Sequence, residues 1–294
     1  MATNPSISVA VAQINCALGE LDRNLDTHLD LITQARKAGH ELLLFPELSL
    51  TGYQLGEKTI DVAMQGNDPK LLKLAEASQD IDVAFGFVEE GAGAQYYNAM
   101  ALVRNGQLRF VHRKLNLPNY GNLAEGKLFA AGQHIELVTL TDPWRAGLLI
   151  CADLWNPALV HLAMLQGATM LLAPVNSALG AVAGQFSNAD GWDLALRFYA
   201  MMYGAPILMA NRCGNEGNTY FWGGSRILDA YGKTLAGAPD GYTGLISAEL
   251  NYADVQRARF RLPTIRDSNP HLIRHGMNQL ARDAGTPLTT KDTQ

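Results

Sequence analysis

The chain has 294 residues, 48% of them hydrophobic, with 23 basic against 28 acidic side chains and a formal net charge of −5. That length buries a sizeable core, and the acidic balance without a basic stripe gives no footprint for nucleic acid or an anionic membrane. The amino-terminal Met-Ala-Thr-Asn-Pro-Ser lacks the basic and apolar regions of a secretory signal, and the longest apolar region, around Leu162 to Val175, is broken by Gln166 and Gly167. The expectation is a soluble, cytoplasmic protein acting on a small molecule. Cys16, Cys151 and Cys213 are too few and odd in number for a disulfide framework.

Ile7 to Gln13 alternates and starts with β-branched residues, which predicts a strand. A helix follows, with Asp22 as its N-cap, Leu25, Leu29 and Ile32 at helical spacing, and Gly39 as its stop. Leu42 to Phe45 is a short buried strand, Leu71 to Ser78 a helix, and Val83 to Val88 another strand. Asn98 to Arg104 and Leu108 to His112 form a hairpin turning at Asn105-Gly106. Leu148 to Ile150 is a strand, Ala158 to Gln166 a helix, and Thr169 to Ala173 a strand. The helix Trp192 to Tyr203 stops at Gly204 and feeds the strand Ile207 to Ala210, and a last hairpin joins Gly224 to Leu228 with Thr234 to Ala236. Strands alternating with helices, with no linker or low-complexity segment, predict one α/β unit.

Ligands in α/β folds gather beyond strand ends, so the residues just after strands carry the functional reading. Glu47 follows the strand ending at Phe45, Lys114 the one ending near His112, and Cys151 the one ending at Ile150. Singly, each has an ordinary structural explanation: a capping carboxylate, a surface charge, a core thiol. Together they supply acyl transfer, with a thiol to attack a carbonyl, a carboxylate to move the proton, and a cation for the oxyanion.

Three motifs occur in one order: Phe45-Pro-Glu-Leu-Ser-Leu-Thr-Gly-Tyr53, His112-Arg-Lys-Leu-Asn-Leu-Pro118 and Leu149-Ile-Cys-Ala-Asp153. They resemble the signatures of the nitrilase superfamily of carbon-nitrogen hydrolases, and the likeness runs from about Ile7 to Glu249. It takes in Gln13, Glu125-Gly-Lys-Leu-Phe129, Gly132, Gly223-Gly-Ser225 and Asp229-Ala-Tyr-Gly232. The resemblance implies Glu47 as general base, Lys114 as oxyanion-stabilising cation, Cys151 as nucleophile, and Glu125 as the second glutamate supporting the lysine and the substrate amino group. It implies a four-layer α-β-β-α sandwich, commonly paired into homodimers or higher homo-oligomers, and no metal or organic cofactor. The hydrolase domain is placed at 1–260 and a C-terminal extension at 261–294, whose arginines, including Arg266 and Arg274, mark either a docking arm at a subunit interface or a solvated tail.

Ala152-Asp153 after the cysteine differs from the Trp-Glu of true nitrilases and looks like an amide-hydrolysing branch. The stretches Leu117 to Gly121 and Cys151 to Pro157 look similar to the glutaminase domain of glutamine-dependent NAD synthetases, although this chain has neither room for a synthetase domain nor a Gly-rich phosphate loop. Arg197 is followed by Ala200 and Met201 where many members carry Glu and Asn, a departure that bears on subtype. The reading is a thiol amidase cleaving a small primary amide, with nitrile or N-carbamoyl hydrolysis, acyl transfer to another nucleophile, and a non-catalytic binding protein as rivals. Tyr53, Tyr120, Trp155 and Asn176 are candidate pocket residues, and the backbone N–H of Ala152 is a candidate oxyanion donor. His271 and His275 lack a third ligand, and His161 is a boundary histidine on its helix.

Overall fold

A computed structural model of the chain describes residues 5–182 and 185–283. Alternation in the first strand, Ser6–Gln13 (β1), sends Val9 and Val11 into one apolar cluster and Ala10 and Ala12 into another, so both faces of the strand are covered. The chain continues through helix Leu21–Lys37 (α1), strand Leu42–Leu44 (β2), the short helix Thr59–Val62 (α2) and helix Pro69–Ser78 (α3). Three antiparallel strands follow, Asp82–Gly91 (β3), Gln95–Arg104 (β4) and Gln107–Arg113 (β5). Then come Leu137–Thr139 (β6), Arg145–Leu148 (β7), helix Pro157–Leu165 (α4), Met170–Val175 (β8), helix Asn188–Tyr203 (α5) and Ile207–Asn211 (β9). The remainder is Cys213–Glu216 (β10), Thr219–Trp222 (β11), Arg226–Leu228 (β12), Thr234–Gly237 (β13), Gly244–Asn251 (β14), and helices Tyr252–Arg261 (α6) and Pro270–Asp283 (α7).

Two six-stranded sheets result, in the orders β14-β1-β2-β3-β4-β5 and β13-β12-β9-β8-β7-β6, with β10 and β11 as a separate hairpin. Val9, Leu44 and Met100 of the first sheet pack with Leu148, Leu172 and Leu208 of the second, which places the central core between the sheets. The outer face of the first sheet takes Leu25 and Ile32 of α1 and Leu74 of α3, and the outer face of the second takes Val160 of α4 and Trp192 and Leu196 of α5. The layers are therefore α-β-β-α, as the resemblance implied.

Boundaries moved where local chemistry competes with periodicity. Asp22 lies inside the first turn of α1 and pairs with Lys70 at 2.8 Å, leaving Glu20 at the cap position. Asp68, Asn156 and Ser187 cap α3, α4 and α5 with side-chain oxygens. The Asn105-Gly106 turn is present, with φ of 52° and 74°. The strand before Cys151 ends at Leu148, because Ile150 already donates its N–H to the Asp153 carboxylate.

Direction then positions the site. β2 runs parallel to β3, and β5 is antiparallel to β4 and so shares the direction of β3, which brings the ends of β2 and β5 to one edge. In the facing sheet, β7 and β8 are parallel, and Cys151 and Asn176 follow their ends.

Candidate active site

Glu47 lies in the turn after β2, fully buried, and is followed by Leu48 at φ 46°, a left-handed conformation that a non-glycine residue adopts at a cost. The turn passes close over β3 at Gly86, where a Cβ would lie 2.1 Å from the Leu48 nitrogen. Glu47 Oε1 accepts from Asn98 Nδ2 at 2.7 Å and from Lys114 Nζ at 2.6 Å, while Asn176 Nδ2 donates to the Glu47 carbonyl at 2.8 Å. Lys114 is also fully buried and donates to Glu125 Oε1 at 2.8 Å. Glu125 in turn accepts from the Tyr53 hydroxyl at 2.5 Å.

Cys151 opens a single 3₁₀ turn, Cys151–Trp155, and it too has a positive φ of 46°. Its burial and the nearby Glu47 carboxylate push the thiol pKa well above its ordinary value, while the Lys114 ammonium and the backbone N–H of Asn176 work the other way. The resting sulfur is a neutral thiol that needs a base as it attacks. Burial also works against the Lys114 charge, yet the carboxylates of Glu125 and Glu47 outweigh it and hold that pKa well above the lysine range. Burial raises the Glu125 pKa, with Lys114 opposing, and burial together with Glu125 keeps the Tyr53 phenol protonated as a donor. One ammonium thus joins two buried carboxylates beside a thiol, an arrangement equipped for proton transfer and for stabilising an oxyanion.

A family model described as carbon-nitrogen hydrolase matches residues 8–260. The chain belongs to the carbon-nitrogen hydrolase family. Within the nitrilase superfamily it is similar to the glutamine-dependent NAD(+) synthetase of Thermotoga maritima, 30% identical over 78% of this chain and 39% of that protein. It therefore spans well under half the length of that relative. A citrullinase of Francisella tularensis is 28% identical over 91% of this chain and 96% of its own. Among solved structures, the glutamine-dependent NAD+ synthetase from Acinetobacter baumannii superposes with a TM-score of 0.76 at 26% identity, covering 85% of this chain and 47% of that one. An amidase from Nesterenkonia sp. AN1 shares the fold with a TM-score of 0.77 at 22% identity, covering 94% of this chain and 98% of that one.

In this chain a cavity of about 230 Å³ opens over Glu125, with Tyr53 and Asn176 in its lining. Those are two of the four side chains expected at a pocket. Trp155 packs on Trp192 at a centroid distance of 4.7 Å and on Phe186 at 5.8 Å, and like Cys151 itself it is not among the residues lining this cavity. Tyr120 is exposed and also outside that lining. Ala152 is buried next to Cys151, and its carbonyl accepts from Asn116 Nδ2 at 3.4 Å. His161 lies between Tyr203 and Ser268, away from the thiol. Of Glu47, Lys114, Glu125 and Cys151, the 230 Å³ cavity is lined by Glu125 alone, and another cavity, of about 400 Å³ along β5, is lined by none of them.

Two parts of the site escaped the sequence reading. Asn98, which holds Glu47, carried one signal, a polar residue inside the otherwise apolar alternation of β4. Glu216 accepts from the backbone N–H groups of Tyr53 and Gln54 and pairs with the buried Arg212, and it carried none, since its partners at Tyr53 are 163 residues away.

Proposed function

We propose that this chain hydrolyses a small primary amide to a carboxylate and ammonia through a thioester on Cys151. The observation that supports this reading best is a pair of orphaned acceptors. Among the described residues, Glu47 Oε2 and Glu125 Oε2 are buried without a hydrogen-bond partner, although both carboxylates hold Lys114 through their other oxygens. An unpaired buried acceptor costs about 1–3 kcal/mol, and a primary carboxamide brings two N–H donors on one nitrogen. A nitrile brings none.

In the proposed sequence the Cys151 sulfur attacks the carbonyl carbon as Glu47 takes the thiol proton. The oxyanion that forms is stabilised by the Lys114 ammonium and the Ala152 N–H. The C–N bond then breaks, and Glu47 delivers its proton to the departing nitrogen, releasing ammonia. A water that Glu47 deprotonates attacks the thioester, and the thiolate leaving group recovers a proton.

Glutamine is the amide for which the NAD(+) synthetase relatives are named, and it belongs to this reading as a candidate substrate. Cleavage of a carbamoyl group is the second reading, supported by the citrullinase similarity along nearly the whole of both chains and by the NH₂ that such a group also presents. The test is ammonia release from aliphatic amides, N-carbamoyl compounds and nitriles, with intact-mass detection of an acyl adduct. Amide turnover that disappears in Cys151→Ala while the circular dichroism spectrum is kept is the expected result. Undiminished turnover in Cys151→Ala would sink the mechanism.

A further inference from the structure

We infer, resting on the amide-hydrolase reading above, that the acyl part of the substrate ends without a carboxylate, so that the site disfavours glutamine and favours amides with an uncharged remote end. The walls and the floor of the 230 Å³ cavity both lead there. Ala178, Ala181 and Phe221 form a small apolar cluster of their own, with Leu123 and Tyr53 packed against it, and all five line the cavity. The polar groups around them, Gln54, Asn122, Asn218 and Thr219, are amides and a hydroxyl, which bind neutral polar ends as readily as they bind water.

The floor is acidic. Glu125 is the charged residue of the lining among the described residues, and its Oε2 is unpartnered. Below it one ammonium, Lys114, is shared between Glu125 and Glu47. A substrate carboxylate brought into this cavity would lose its hydration and find no guanidinium or ammonium among the described lining residues to replace the water. The cation behind the wall is held at two of its three nitrogens, with Nε unpartnered among the described residues. Arg212 is fully buried on Phe221, with its guanidinium carbon 4.3 Å from the ring centroid, and it is held by Glu216 and by the Cys16 carbonyl. Ala183 and Gly184, which lie outside the described residues next to this loop, have no ionisable side chain to add.

An isosteric pair of probes tests the charge alone: glutaramide, a neutral diamide, against glutaramate, in which one amide is a carboxylate, with glutamine as the zwitterionic third. Ammonia release gives kcat/KM for each, and intact mass of a rapidly quenched reaction reads acylation of Cys151. The expected preference for glutaramide over both others is about 100-fold, after a factor of about two for its paired amides. A preference under about 10-fold overturns the inference and leaves the hydrolase reading standing. If none of the three acylates Cys151, and simple aliphatic amides also fail, the hydrolase reading falls and takes this inference with it.

Discussion

Single side chains hold the reactive groups of this site in register across the two sheets. Asp153 is the clearest case. Fully buried, it accepts from Leu115 N–H at 3.0 Å and Asn116 N–H at 2.7 Å through one oxygen, and from Ile150 N–H at 2.9 Å through the other. One carboxylate therefore ties the residue after Lys114 to the residue before Cys151. Asp153→Asn places an NH₂ where one or two N–H groups point, so the lysine and the thiol should separate while most of the core is untouched. Because a displacement of about 1 Å can cost about 100-fold in rate, we expect kcat to fall by roughly 10-fold to 100-fold with KM little changed. Thr169→Ala, which removes two hydrogen bonds between its hydroxyl and the Arg145 backbone at the far end of β7, is the stability control. If kcat in Asp153→Asn falls no further than in that control, Asp153 only stabilises the fold.

At the scale of elements, the Glu47 turn depends on what lies beneath it. Gly86→Ala would set a methyl group 2.1 Å from Leu48 N and 2.7 Å from the Glu47 carbonyl carbon, so the turn must lift off β3. We expect about 1–3 kcal/mol of destabilisation, seen as a lower urea midpoint, and a loss of activity larger than the loss of folded protein. His28 of α1 stacks on Phe45 at 4.1 Å and bonds Asn24 O and Ser49 Oγ, one turn from Glu47. Burial lowers its pKa from 6.5 to about 4, so the fold holds it neutral while the unfolded chain binds the proton. A depressed pKa stabilises above the unfolded value, and that stability is lost as pH falls through 6.5 toward about 4. The loss amounts to roughly 3 kcal/mol. Urea unfolding at pH 7, 6, 5 and 4 should show a shallower decline for His28→Gln than for the wild type. An equal slope in both would remove His28 as the cause.

For the molecule as a whole, what could be read from the sequence was what local pattern encodes. The strands ending at Leu44, Arg113 and Leu148 were visible to within two residues because apolar runs stop at polar turns, and the fold brings Glu47, Lys114, Glu125 and the thiol together beyond them. The edge strand β14 was not visible, since Gly244–Asn251 is half exposed and lacks clean alternation, and its pairing with β1 is set only by the closed tertiary fold. Nor were the clamps from Asp153 and Glu216, because hydrogen bonds between distant segments leave no periodic trace. Assembly is a property of this scale too. Leu194, Phe198 and Met201 expose an apolar stripe along α5 at 74%, 45% and 50%, at the spacing of one helical face. α7 carries Leu272, Ile273, Met277 and Leu280 exposed as well, though an amphipathic helix of this kind owes its stability to a buried face. Two stripes left uncovered by the described residues suit a two-fold pairing in which the same surface serves both copies, and a second copy is the occupant we propose. Light scattering behind size exclusion should give twice the chain's 31.9 kDa or a higher multiple. The double variant Leu194→Asp, Phe198→Asp should move that mass toward the monomer without loss of helical signal. A wild-type mass of one chain at micromolar concentration would leave the stripes to some other partner.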